Sequence, residues 1–163
     1  MVGGRSCNAK VEHLAHDLGR KLAKVVDVLV SGGLSGTMKA VCRGFKAGGG
    51  TTLGIIPSYN KKEVNQYVDI VIPTGLGLAR NVLVVTSADV VVALPGGPGT
   101  LSEIAYCLQF GVPVISLGSW KVKGVISARD VNAAVDKVEA ILKNGQTIIP
   151  RSLWSKSGNR KRK

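Results

Sequence analysis

The sequence predicts an α/β fold: a Rossmann-like, doubly wound, mostly parallel sheet with helices on both faces. Three observations carry this. Hydrophobic periodicity switches repeatedly between helical and strand-like spacing. The strand-like runs are short and continuously apolar, as strands covered on both faces are. Two of them, ending at Val30 and Leu94, feed directly into glycine-rich turns that precede helix-like segments. With 163 residues and 45% hydrophobic composition, the chain fits one compact domain over residues 1–150, followed by a basic tail at 151–163.

Each element has its own signal. Only Met1-Val2 precedes the turn Gly3-Gly4-Arg5-Ser6, whereas a doubly wound sheet should open on a full strand, so the first strand is expected to be truncated or very short. Val11, Leu14, Ala15, Leu18, Leu22 and Val25 form one helical stripe over residues 9–25. Asp27–Val30 then reads as a strand ending at Ser31-Gly32-Gly33. Met38, Val41, Cys42 and Phe45 mark a second helix, stopped by Gly48-Gly49-Gly50, and Thr51–Ile56 is a strand closed by Pro57.

The polar segment 58–66 reads as a loop, and Val68–Ile72 as a short strand before Pro73. A helix is expected from about Ala79 to about Ser87, a strand at 90–94, a helix after the turn that follows, and a strand over Val112–Ser116. Asp130 should N-cap a last amphipathic helix through Val135, Val138, Ile141 and Leu142, stopped by Gly145. Residues 117–129, which include Trp120, carry no assignable pattern.

Charge points to the partner class. The chain has 22 Lys and Arg against 10 Asp and Glu, a net charge of +12. Five of the basic residues (Lys156, Arg160, Lys161, Arg162 and Lys163) fall in the last eight positions, and the tail reads as a solvated end. A basic surface suits phosphate-bearing ligands, while the scarcity of aromatic residues argues against stacking platforms for single-stranded nucleic acid. No apolar run is long enough to span a bilayer, and no secretory leader is seen. Cys7, Cys42 and Cys107 have no metal-type spacing and read as reduced thiols, so a cytoplasmic protein without a membrane partner is expected. His13 and His16 lack a third ligand, and no metal site is expected.

The most specific motif is Pro95-Gly96-Gly97-Pro98-Gly99-Thr100-Leu101-Ser102-Glu103. Gly96, Gly97 and Gly99 let the backbone approach a ligand closely, and a helix starting near Thr100 adds the positive end of its dipole, which suits a phosphate. Gly32 and Gly33 offer a second glycine turn after a strand. Glu103 is open to two roles. Thr100-x-x-Glu103 has the spacing of a capping box, and a carboxylate beside a phosphate cradle can also serve the far end of the ligand. Ser102 lacks a histidine partner for nucleophilic work, Cys42 falls on an apolar stripe, and nothing near Cys107 in sequence would activate its thiol.

Three segments, Ser31–Met38, Gly77-Leu78-Ala79-Arg80-Asn81 and Pro95–Glu103, together resemble the Lonely Guy (LOG) or "lysine decarboxylase-like" superfamily, and within it the small subgroup that includes the molybdenum cofactor carrier proteins. The resemblance runs from about residue 3 to residue 143. It implies a Rossmann-like sheet, a homodimer or higher homo-oligomer, and a phosphorylated ligand at the glycine turn. In the hydrolase branch an arginine on the preceding helix and the motif's glutamate form the catalytic pair, which map onto Arg80 and Glu103. The implied reaction releases a free base and ribose 5-phosphate from a nucleoside 5′-monophosphate and requires no cofactor. The carboxylate would stabilise the cationic ribose or orient water, and the guanidinium would hold the phosphate or the departing base. The subgroup implies the alternative: a non-catalytic module holding the molybdenum cofactor, a pterin phosphate, as its ligand. Hydrolases of the superfamily carry Met-His-x-Arg-Lys around the arginine, and this chain has Gly77-Leu78-Ala79-Arg80-Asn81 instead, without the His and the Lys.

Overall fold

The computed structural model describes residues 1–144. Among the described residues, six short strands and five α-helices follow in the order α1 (Ala9–Leu22), β1 (Val28–Ser31), α2 (Thr37–Ala47), β2 (Thr51–Ile56), β3 (Ile70–Pro73), α3 (Asn81–Thr86), β4 (Val91–Ala93), α4 (Pro98–Phe110), β5 (Val114–Leu117), β6 (Ile126–Ala128) and α5 (Val131–Lys143). The strands form two parallel sheets, ordered β1-β2-β3 and β4-β5-β6. This is the predicted fold class.

Met1 and Val2 join the two sheets. The Val2 N–H donates to Val92 O and Leu94 N–H donates to Val2 O, each at 3.0 Å, while the Met1 nitrogen donates to Val30 O at 2.7 Å. The short first strand is thus a single parallel bridge, Val2 to Ala93, set between β1 and β4. It is also fully buried.

Why the strands read as unbroken apolar runs follows from their two faces. Along β4 and the residue after it, Val92 and Leu94 face a core built with Leu18, Phe45 and Val138 of α1, α2 and α5. Val91 and Ala93 face the opposite core, with Val84 of α3 and Ile104 and Cys107 of α4. Successive side chains of a strand point to opposite faces, so covering both faces demands an apolar residue at every position. On one face α1 and α2 press backbone to backbone: a Cβ at Gly44 would fall 2.0 Å from His16 O.

The ends of elements obey local chemistry. Asn8 Oδ1 accepts from Val11 N–H at 3.0 Å, and Asp130 Oδ1 accepts from Ala133 N–H at 2.8 Å, the predicted N-cap. Such a cap stabilises a helix by about 1 kcal/mol. The predicted stop at Gly145 and the basic tail lie outside the described residues.

Three expectations are adjusted. Residues 117–129 contain β6, whose three residues leave too little pattern to read. The segment expected as one helix from Ala79 divides into a 3-10 turn, Gly77–Arg80, and the short α3. β3 is an edge strand with Ile70 and Ile72 exposed, at 48% and 42%. No helix among the described residues is long and apolar enough to cross a membrane.

Candidate functional site

A cavity of about 560 Å³ opens where the Val2 bridge and β4 end. The chain leaves Val2 toward one sheet and β4 toward the other, so this is the point where strand order reverses, the place where open α/β sheets bind ligands. Its walls come from the segment Gly3–Asn8, the glycine turn Pro95–Thr100, and the side chains of Arg80, Asn81 and Glu103.

The glycine turn starts α4 earlier than the capping-box spacing implies. Pro98 is already in the first helical turn and Gly97 is the N-cap, with no side-chain cap. Thr100 therefore lies inside the helix, its N–H donating to Gly97 O at 3.0 Å, and the Thr100–Glu103 capping box does not form. Proline preset for the first turn moves the helix start. Glu103 is left for another role.

The three glycines of the turn differ. A Cβ on Gly96 would fall 2.2 Å from Thr100 Oγ1 and 2.7 Å from Gly4 N, so the fold itself requires glycine there. A Cβ on Gly97 or Gly99 would meet nothing within 4 Å. Packing gives no reason for glycine at either position, and both line the cavity. Among the described residues their N–H groups have no protein acceptor. Bare backbone and free N–H groups at the start of a 13-residue helix can receive an anion.

Arg80 and Glu103 meet at the cavity floor. Both are buried, each 6% exposed, and Arg80 Nη1 lies 3.8 Å from Glu103 Oε1. That distance is a charge contact and too long for a hydrogen bond. Arg80 Nε is buried with no hydrogen-bond partner. Burial pushes the Glu103 carboxyl up to about 7, with the Arg80 charge pulling it partly back. Burial also lowers the basicity of Arg80, against the pull of Glu103, and Arg5 adds repulsion. The floor thus holds a carboxyl poised near neutrality beside a guanidinium with unused donors.

Asn81 Nδ2 donates to Ser102 Oγ at 3.2 Å, and Ser102 Oγ donates to Gly99 O at 2.7 Å. These bonds tie the start of α3 to the first turn of α4, and so hold Arg80 beside Glu103. Ser102 acts as a strut. Cys107 lies behind the site, its thiol pushed up to about 12 by burial. That keeps it protonated and inert.

The structure brings Arg80, Glu103, Gly96, Gly97, Gly99 and Thr100 into one cavity and leaves Gly32 and Gly33 outside its lining. The Gly33 N–H donates to Ser31 Oγ and its carbonyl accepts from Asn65, so its backbone groups have protein partners. Gly32 serves indirectly, by making room for Arg80. The site residues missed from sequence lie in Gly3–Asn8. Gly4 N–H donates to Pro95 O at 3.1 Å, Thr37 Oγ1 donates to Gly4 O at 3.0 Å, and Ser35 Oγ donates to Arg5 O at 2.7 Å. Their signal was present as a third strand–glycine turn–helix sequence, obscured by the two-residue strand before it.

Comparison with known proteins bears on family and fold. The model of the SLOG cluster4 family matches residues 1–146. A probable cytokinin riboside 5′-monophosphate phosphoribohydrolase of Oryza sativa subsp. japonica is 34% identical over 116 residues, covering 68% of this chain and 51% of the rice protein, about half its length. The molybdenum cofactor binding protein of the phototrophic bacterium Rippkaea orientalis superposes with a TM-score of 0.80 at 35% identity, covering 86% of this chain and 93% of that one. The Moco carrier protein of Chlamydomonas reinhardtii gives 0.78 at 32% identity, over 88% and 94% of the two chains. The chain belongs to the SLOG cluster4 family.

Proposed function

We propose that this protein binds a phosphorylated small molecule with its phosphate on the Gly97 and Gly99 amides and Arg80, and that its cargo is a pterin phosphate of the molybdenum cofactor type. The observation that carries the reading is the pair of glycines at 97 and 99, for which packing gives no reason and whose N–H groups are free at a helix start. Arg80 adds a buried guanidinium with an unpartnered Nε. Burial excludes competing water, so each charged hydrogen bond to phosphate is strong. The cofactor carriers align with this chain over nearly its whole described length, which favours a cargo of their kind.

One observation favours a second reading, hydrolysis of the N-glycosidic bond of a nucleoside 5′-monophosphate. Glu103 is buried, titrates near neutrality and faces Arg80, an arrangement suited to stabilising a cationic ribose and orienting water. Incubation with a panel of nucleoside 5′-monophosphates, following free base and ribose 5-phosphate, separates the readings. Release by wild type that is lost in folded Glu103→Gln establishes the hydrolase. Saturable binding without release establishes the carrier.

Self-association belongs to the same proposal. Ile70, Ile72, Leu76 and Leu78 expose apolar side chains along the β3 edge and the turn that leads to Arg80. An exposed apolar patch on an edge strand marks a surface for a second copy of the chain.

A further inference from the structure

The carbonyl of Gly96 accepts a hydrogen bond from the indole N–H of Trp120 at 3.0 Å, across 24 residues of sequence. A trans peptide plane carries its C=O and the next N–H on opposite sides. The bond therefore fixes the direction of the Gly97 N–H, which has no protein acceptor among the described residues and belongs to a residue lining the cavity. Trp120 is itself held, because its carbonyl accepts from Ser116 Oγ at 3.4 Å.

Trp120 also lines a second cavity of about 340 Å³, with Ser116, Lys121, Lys123 and Ser127. The segment 111–129 contains no Asp or Glu. Neither lysine makes an ion pair among the described residues. Gly96 lines the first cavity and Trp120 the second, so the Trp120–Gly96 hydrogen bond links the two linings. The loop after β5 leaves the same end of the parallel sheet as the glycine turn after β4.

We propose that this loop is the second half of the ligand site: Trp120 is a positioning residue for the Gly97 amide, and Lys121 and Lys123 receive a second phosphoryl group of the same ligand. The ligand class is then a diphosphate-bearing molecule, such as a nucleotide or pterin joined through a pyrophosphate. The inference rests on the reading that the glycine turn holds a phosphate.

The test uses the full chain, titrated with inorganic phosphate and with inorganic pyrophosphate in magnesium-free buffer and followed by backbone amide resonances. Wild type should bind pyrophosphate about 10-fold more tightly than phosphate, the worth of one added charge-assisted contact. The double variant Lys121→Gln/Lys123→Gln should bring that ratio near one. Lys61→Gln/Lys62→Gln, which removes the same charge from an exposed turn, should keep it. Trp120→Phe, which keeps a ring but removes the N–H, should weaken phosphate about 10-fold and shift the Gly97 amide resonance in the unliganded protein, with α5 resonances unmoved. A pyrophosphate preference absent from wild type, or one surviving loss of both lysines, overturns the second phosphoryl contact. Wild-type phosphate affinity in Trp120→Phe overturns the positioning role. If wild type binds neither anion, the phosphate reading of the glycine turn falls and takes this inference with it.

Discussion

The Arg80 guanidinium occupies the space that a side chain at Gly32 would fill: a Cβ there would fall 2.6 Å from both Nη1 and Nη2. A glycine at the end of β1 thus sets the position of an arginine 48 residues later, and through it the contact with Glu103. Gly32→Ala is expected to displace Arg80 toward the cavity and weaken phosphate binding about 10-fold, with a cost of about 1–3 kcal/mol in stability. Titration calorimetry and denaturant unfolding of the same variant check both numbers.

The glycines of the turn should divide by role. Gly96→Ala drives a methyl into Thr100 and the Gly4 backbone and is expected to destabilise the fold by about 1–3 kcal/mol. Gly97→Ala and Gly99→Ala meet no protein atom, so their unfolding free energy should stay within about 0.5 kcal/mol of wild type. Their ligand affinity should nevertheless fall about 10-fold, because the methyl stands where the phosphate approaches. Unfolding curves with and without ligand separate the two classes.

Stability should depend on Glu103 ionisation. Its carboxyl is raised in the folded protein from 4.5 to about 7, so the folded state binds the proton more tightly than the unfolded chain does. This contribution is complete below the unfolded value and is lost as pH rises through about 7. Denaturant unfolding of unliganded wild type should show a fall on the order of 3 kcal/mol between about pH 4 and about pH 8 from this group. The pH dependence of Glu103→Gln should be flatter by that amount. Equal slopes in the two proteins would contradict the raised carboxyl.

Much of this was legible in the sequence, for identifiable reasons. Continuous apolar runs such as Val90–Leu94 announced strands covered on both faces, and Pro95–Glu103 announced the turn that positions Gly97, Gly99 and Glu103. What was not legible depended on distant contacts. Thr100 and Glu103 have capping-box spacing, yet Pro98 starts the helix sooner. Gly33 has the right residue type, yet Asn65 and Ser31 occupy its backbone groups. The three-residue β6 has no periodicity to read, and the tie from Trp120 to Gly96 spans two loops.

The β3 edge should govern assembly. Ile72→Lys places a charge on the exposed apolar edge, where it costs the monomer little. Sedimentation velocity is expected to show the wild type as an oligomer and Ile72→Lys shifted toward monomer. An unchanged distribution would move the contact elsewhere.

A crystal structure of the protein grown with a phosphorylated pterin, and in parallel with a nucleoside 5′-monophosphate, locates the ligand directly. Phosphate oxygens are expected within hydrogen-bond distance of the Gly97 and Gly99 N–H groups, with the Arg80 guanidinium as their charged partner. A ligand bound with its phosphate away from these amides, or an occupied site elsewhere with the glycine turn left bare, would contradict it.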